Sequence, residues 1–140
     1  MSSERAVPEP DAANGIAAAV AAFHAAFGLS RSERPTADIP ARIAALRVRL
    51  LVEEVEEFAA ASEAGDLVGI ADALADIVYV AYGSAVTYGI DLDAVLAEVH
   101  RSNMSKLDAD GRALLREDGK VLKSERYTPP NIADVLRAQS

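Results

Sequence analysis

The sequence predicts an all-α fold: an antiparallel helical bundle of four main helices, followed by a short hairpin-like C-terminal arm. Composition is the first reason. Alanine is abundant, aromatic residues make up 5% of the 140-residue chain and tryptophan is absent. Such a sequence favours closely packed helices, because alanine has the best helix propensity whereas β-branched and aromatic residues lead in strands. Apolar periodicity is the second reason, with residues recurring at three- and four-residue spacing in successive stretches between Ile16 and Val99. Punctuation is the third: Gly28, Asp38 with Pro40, Gly65-Asp66, and Gly89 with Asp91 separate those stretches as stop and start signals. A chain of this length without repeats suggests one domain, long enough to bury a core.

Residues 1–13 contain Pro8, Pro10 and several charges, and are expected to form a disordered arm ahead of a helical domain over residues 14–108. In the first helix Ile16, Val20, Phe23 and Phe27 form one stripe that ends near Gly28, with His24 beside it. A histidine so placed is more often packed or exposed than catalytic. Arg31 to Pro40 is a polar connection, after which a long second helix reaches about Ala64. The third helix runs from Asp66 to Tyr88. Ile70, Leu74, Ile77, Val78, Ala81, Ala85 and Val86 cover most of its circumference, which predicts burial nearly all round. In the fourth helix Leu92, Val95, Leu96 and Val99 mark the inward face, and the same period carries Asn103 and Lys106 onto it. Residues 109–140 form the accessory arm, in which Asp118-Gly119 suits a tight hairpin turn and Pro129-Pro130 precedes a short helix around Ile132 to Leu136.

A net charge of −8 argues against a general binder of nucleic acid or anionic membrane, while leaving room for a small phosphorylated ligand. The chain has no cysteine and two well-separated histidines. Disulfides and thiolate metal sites are therefore excluded, and any metal is held mainly by oxygen, the chemistry of Mg²⁺ or Mn²⁺. No hydrophobic signal segment follows Met1, and Asp72 and Asp76 break the apolar run around Ile77. A soluble, cytoplasmic protein is expected.

Those two aspartates belong to the most informative pattern in the chain. Glu53-Glu54-Val55-Glu56-Glu57 lies in a strongly apolar region and is followed by Asp72-Ala73-Leu74-Ala75-Asp76. At about 100° per residue, Leu46, Leu50, Leu51, Val55 and Phe58 mark an apolar arc from inside which Glu54 and Glu57 project, with Glu53 at its edge. Asp72 and Asp76 lie roughly 40° apart on the next helix. Carboxylates in a core ask for positive charge, because burying them ionised and unpaired is costly. A divalent cation supplies that charge; ionic pairing with Arg42, Arg47 or Arg49 is the structural alternative.

This pattern, continued by Tyr79 and by Ser102-Asn103-Met104-Ser105-Lys106, resembles the all-α nucleoside triphosphate pyrophosphohydrolases, the MazG-like and phosphoribosyl-ATP pyrophosphohydrolase-like proteins. Gly119-Lys120-Val121-Leu122-Lys123, with Tyr127 and Pro129-Pro130, looks like the tail of the second branch. The resemblance covers roughly residues 40 to 130. It implies Glu54, Glu57 and Asp76 as Mg²⁺ ligands and Glu53 as the acid that activates water or adds to metal binding. Ala73 stands where the family has a second-helix glutamate, with Asp72 one residue away as its substitute or a metal-bound water in its place.

The implied reaction cleaves a nucleotide between its α- and β-phosphates to a monophosphate and pyrophosphate. Lys106, and Lys120 or Lys123 from the tail, would bind phosphate oxygens, while Asn103 would hydrogen-bond base or sugar. Tyr79 is either a core residue or a base-stacking one. For Lys120 and Lys123 the other reading is a solvated hairpin. The family implies a bundle completed by dimerisation, sometimes as a dimer of dimers. Three functions follow: Mg²⁺-dependent removal of unwanted (deoxy)nucleotides, a dedicated phosphoribosyl-ATP pyrophosphohydrolase of histidine synthesis, or a non-catalytic helical dimer that binds nucleotide or protein.

Overall fold

A computed structural model of the chain describes residues 15–140; the arm expected over residues 1–13 lies outside the described residues. The described part is mostly helical, with α1 (Gly15–Phe27), α2 (Ala41–Ala64), α3 (Leu67–Tyr88), α4 (Leu92–Met104) and α5 (Ile132–Ala138). A two-stranded antiparallel hairpin, β1 (Leu114–Leu115) and β2 (Val121–Leu122), separates α4 from α5. Residues up to Ile90 group into one compact unit and Asp91–Ser140 into a second, so α4 groups with the C-terminal segment.

In the first unit α2 and α3 form an antiparallel pair, since Ala61 lies beside Gly69 and Arg47 beside Val80 and Ser84. Two caps make the tight connection. Gly65 ends α2 in the left-handed region at φ 66°, returning its N–H to Ala61 and Ser62. Asp66 then opens α3 by accepting a hydrogen bond from the Gly69 N–H. At the far end of α3, Gly89 adopts φ 71°, and the carbonyls of Ser32 and Arg34 crowd the place a side chain would occupy. Glycine is required there both by conformation and by space.

The inward side of α1 differs from the expected stripe. Val20 and His24 are buried, whereas Ile16, Phe23 and Phe27 remain exposed. The reason is a polar junction at Gly83. A Cβ on that residue would lie 2.5 Å from Arg47 Nη2 and 2.8 Å from His24 Nε2, so its absence lets both side chains reach the α3 backbone. His24 Nδ1 donates to the Ser30 carbonyl at 2.8 Å. Arg47 donates from Nη2 to the Val80 carbonyl at 2.9 Å and from Nε to Ser84 Oγ at 3.1 Å. Periodicity finds apolar residues; here the core side is marked by satisfied polar ones.

Nor is α3 buried all round. Its C-terminal half packs Tyr82, Gly83, Ala85 and Thr87 into the core, but Leu67, Val68, Leu74 and Val78 are exposed, Val68 to 81%. The contacts of α1 and the segment after it fall at Tyr79, Gly83 and Thr87, which leaves α2 to cover the N-terminal half. By length and composition α3 is apolar enough to cross a membrane, a test that core helices of soluble proteins also pass.

In the second unit Asp91 caps α4 by accepting from the Ala94 N–H. The α4 face holds the tail. Ser102 Oγ donates to the Thr128 carbonyl at 2.8 Å, Ser105 Oγ accepts from the Thr128 N–H at 2.9 Å, and Glu98 accepts from Arg101 and from the Asn131 N–H. Asn131 in turn caps α5. The hairpin turn closes through Arg116 N–H to the Lys120 carbonyl, with Gly119 at φ 89°. Ser102 is buried and Asn103 exposed, so the inward face of α4 follows Val95, Val99 and Ser102 and excludes Asn103. The helix also ends at Met104, two residues before Lys106.

Candidate metal centre

Glu54, Glu57 and Asp76 converge. Each offers a carboxylate oxygen, and the three oxygens lie within 4.8 Å of one another. The antiparallel pairing explains the meeting: Glu54 and Glu57 sit one turn apart on α2, opposite the turn of α3 that carries Asp76. Glu54 and Asp76 are partly buried and Glu57 is exposed.

The electrostatics are those of charge without a counterpart. Glu54 Oε2 is buried and has no hydrogen-bond partner. Burial pushes the Glu54 carboxyl above its ordinary range, and so do its close approach to Glu57 and the charges of Glu57, Asp76 and Asp72. Hydrogen bonding between Glu54 and Glu57 needs a shared proton; as two carboxylates they can only repel. Arginine does not relieve this. Arg47 spends its donors on Val80 and Ser84, and no ion pair to Glu53, Glu54, Glu57, Asp72 or Asp76 occurs among the described residues.

Such a group fits a hard divalent cation. Neighbouring oxygens on an octahedral Mg²⁺ are about 3 Å apart and opposite ones about 4.2 Å, so three within 4.8 Å lie close enough for side-chain adjustment to bring them onto one ion. The orphaned Glu54 oxygen is the acceptor a cation would satisfy. Ala73, one turn before Asp76, is 2% exposed, so the position that the resemblance assigns to a glutamate is closed by packing. Asp72 is exposed and stands outside the three-residue group; its influence on Glu54 is through charge. Glu53 is exposed on α2, also outside the group. Tyr79 is half-buried and meets Phe23 edge-on.

The remaining sequence candidates belong to the second unit. Asn103 and Lys120 are exposed and Lys106 is partly so, while Lys123 Nζ lies 4.8 Å from the centroid of the Tyr127 ring. The residues that the sequence reading missed are Ser102, Ser105 and Glu98, which hold the tail. Spacing signals them: they continue Val95 and Val99 along one face at three- and four-residue steps.

Acids from two antiparallel helices, with carboxylate oxygens within 4.8 Å of one another, define a helical protein with a carboxylate cluster that could hold a metal ion. The family model of phosphoribosyl-ATP pyrophosphohydrolases matches residues 20–103, and the chain belongs to that family. It is therefore a hydrolase of the pyrophosphohydrolase type. The match contains Glu53, Glu54, Glu57, Asp72, Asp76, Tyr79 and Asn103 and stops short of Lys106 and the tail lysines. Among curated proteins none matches the chain significantly.

Proposed function

We propose that this protein cleaves a nucleotide between its α- and β-phosphates, releasing pyrophosphate, with Mg²⁺ as cofactor and Mn²⁺ as its substitute. The observation that carries this reading is the orphaned Glu54 oxygen inside a three-carboxylate group that no arginine neutralises. Glu54, Glu57 and Asp76 would hold the ion, and Asp72 adds negative charge at the rim. When bound, the cation supplies charge neutralisation on phosphate oxygens and a water of lowered pKa. Glu53, beside Glu54 yet open to solvent, accepts the proton of the attacking water. Asn103 hydrogen-bonds base or sugar; Lys106, joined by Lys120 and Lys123, binds phosphate oxygens as point charges.

The substrates in the leading reading are (deoxy)nucleoside triphosphates, removed as unwanted species. A second reading, phosphoribosyl-ATP of histidine synthesis, is favoured by the family whose model matches. The scissile bond is the same in both. We further propose that the protein is soluble and cytoplasmic, and that a second copy covers the apolar sides of α2 and α3, completing a helical bundle as a homodimer or tetramer.

A panel of nucleoside triphosphates and phosphoribosyl-ATP, assayed for released pyrophosphate with Mg²⁺, tests the reading. Activity should fall about 100-fold or more in Glu54→Ala and Asp76→Ala, in line with the rate carried by positioned charge in such sites. Turnover that survives both substitutions would sink the assignment. Silence of the wild type on every substrate would favour the nucleotide-binding helical dimer, the reading to which Ala73 lends weight.

A further inference from the structure

The outward side of α1 carries a feature the core does not use. Phe23 meets Tyr79 of α3 edge-on, with ring centroids 5.5 Å apart and planes at 82°. Phe27 lies 4.6 Å from Phe23, tilted by 40°. Val20 and His24 fill the contact with the rest of the unit, leaving Phe23 38% and Phe27 68% exposed. Three linked rings thus present a π surface to solvent. The Tyr79 hydroxyl has no hydrogen-bond partner among the described residues.

Position gives this surface meaning. Tyr79 follows Asp76 by one turn of α3, about 4.5 Å along the axis and about 60° round it. Asp76 meets Glu54 and Glu57 of α2, whereas Tyr79 meets Phe23 of α1. The aromatic group therefore begins on the turn next to the carboxylates, all within the first unit.

We propose that Phe23, Phe27 and Tyr79 form a stacking wall for the aromatic base of the nucleotide whose phosphates the carboxylate centre engages. The inference rests on the proposed function and deepens it: the site takes base-bearing polyphosphates in preference to bare ones. Aromatic side chains suit that task because every base has a π face, so stacking binds strongly with little regard to base identity. The Tyr79 hydroxyl can add one hydrogen bond to the edge of the ring or its sugar. Phe27 is the outermost and most accessible member, and so the one whose removal leaves folding least disturbed.

Calorimetric binding to the full chain provides the test, comparing a non-hydrolysable deoxynucleoside triphosphate with inorganic tripolyphosphate in Mn²⁺, and a deoxynucleoside monophosphate in chelator. Phe27→Ala should weaken both nucleotides about tenfold and leave tripolyphosphate unchanged, while Phe27→Trp retains wild-type binding. Equal effects on nucleotide and tripolyphosphate, or none on either, would overturn the wall. So would a Phe27→Ala effect confined to the light-scattering mass, which would mean that a second copy covers these rings. Paramagnetic resonance of Mn²⁺ with the wild type separates the two readings. Failure to bind Mn²⁺ defeats the metal centre, and the monophosphate measurement still decides the wall.

Discussion

At the scale of single residues, Glu54 ties the centre to stability. Its carboxyl is pushed upward by burial and by Glu57, Asp76 and Asp72, so the metal-free fold bears a repulsion that a cation or a proton removes. Glu54→Gln replaces one acceptor with a donor for the neighbouring carboxylates. The metal-free variant should melt higher than the wild type by a few degrees, and Mn²⁺ should no longer raise its Tm. A variant that melts lower, with the Mn²⁺ response intact, would contradict the assignment. Gly83 makes a separate case. A methyl there would press on Arg47 and His24, and Arg47 is fixed by its bonds to Val80 and Ser84. Gly83→Ala should cost about 1–3 kcal/mol in denaturant unfolding, and a neutral result would show that the junction yields freely.

The same residues show what a sequence can and cannot reveal. Glu54, Glu57 and Asp76 are legible because carboxylates interrupt an apolar period, and a period is a property of one segment. Ala73 is legible as a departure from a motif, but its closure by packing is a tertiary fact. His24 and Gly83 are illegible singly. Their meaning lies in approaching each other across α1 and α3, with Arg47 arriving from α2, and no spacing within any one helix encodes that.

At the scale of elements, helix limits follow the punctuation closely, since Gly65, Asp66, Gly89 and Asp91 act as the stop and start residues they resemble. Facing is harder to read. The inner sides of α1 and α4 are each turned by a residue from the apolar stripe, because His24 and Ser102 find hydrogen-bond partners inside and cost little to bury once satisfied. The tail clamp on α4 has a pH signature. Arg101, and then the Asn131 N–H, lower the Glu98 pKa from 4.5 to about 2. The folded form therefore binds fewer protons than the unfolded form between those values, so stability falls as pH drops through that window and is complete above it. The protection factor of the Asn131 amide, its exchange rate divided into the intrinsic rate at the same pH, should fall from about pH 4.5 downward, and Glu98→Gln should flatten that profile. A wild-type profile as flat as the variant's would count against the clamp.

For the whole molecule, two of the helices carry rows of exposed apolar residues in addition to the aromatic group of α1. Val48, Val52 and Val55 recur at four- and three-residue steps on α2, and Leu67, Val68, Leu74 and Val78 lie along α3. Such rows are what the proposed second copy would cover. The double variant Val52→Glu with Val78→Glu should shift light-scattering mass from a dimer or larger to the monomer without loss of helical circular dichroism. A wild type that is already monomeric would remove the proposed second copy. Composition and period announce these side chains as apolar, but periodicity alone does not distinguish a face buried within the chain from one buried between chains.

Arg47 has one more consequence. Two turns along α2 from Glu54, it directs its donors to the Val80 carbonyl and Ser84, so among the described residues this nearby arginine leaves the acids for the proposed metal ion to quiet. Occupancy and durability then rise and fall together. If the proposed centre takes Mg²⁺, a cell starved of magnesium would hold a pool of this protein that is both idle and more readily degraded, with supply of the ion setting its abundance as well as its turnover.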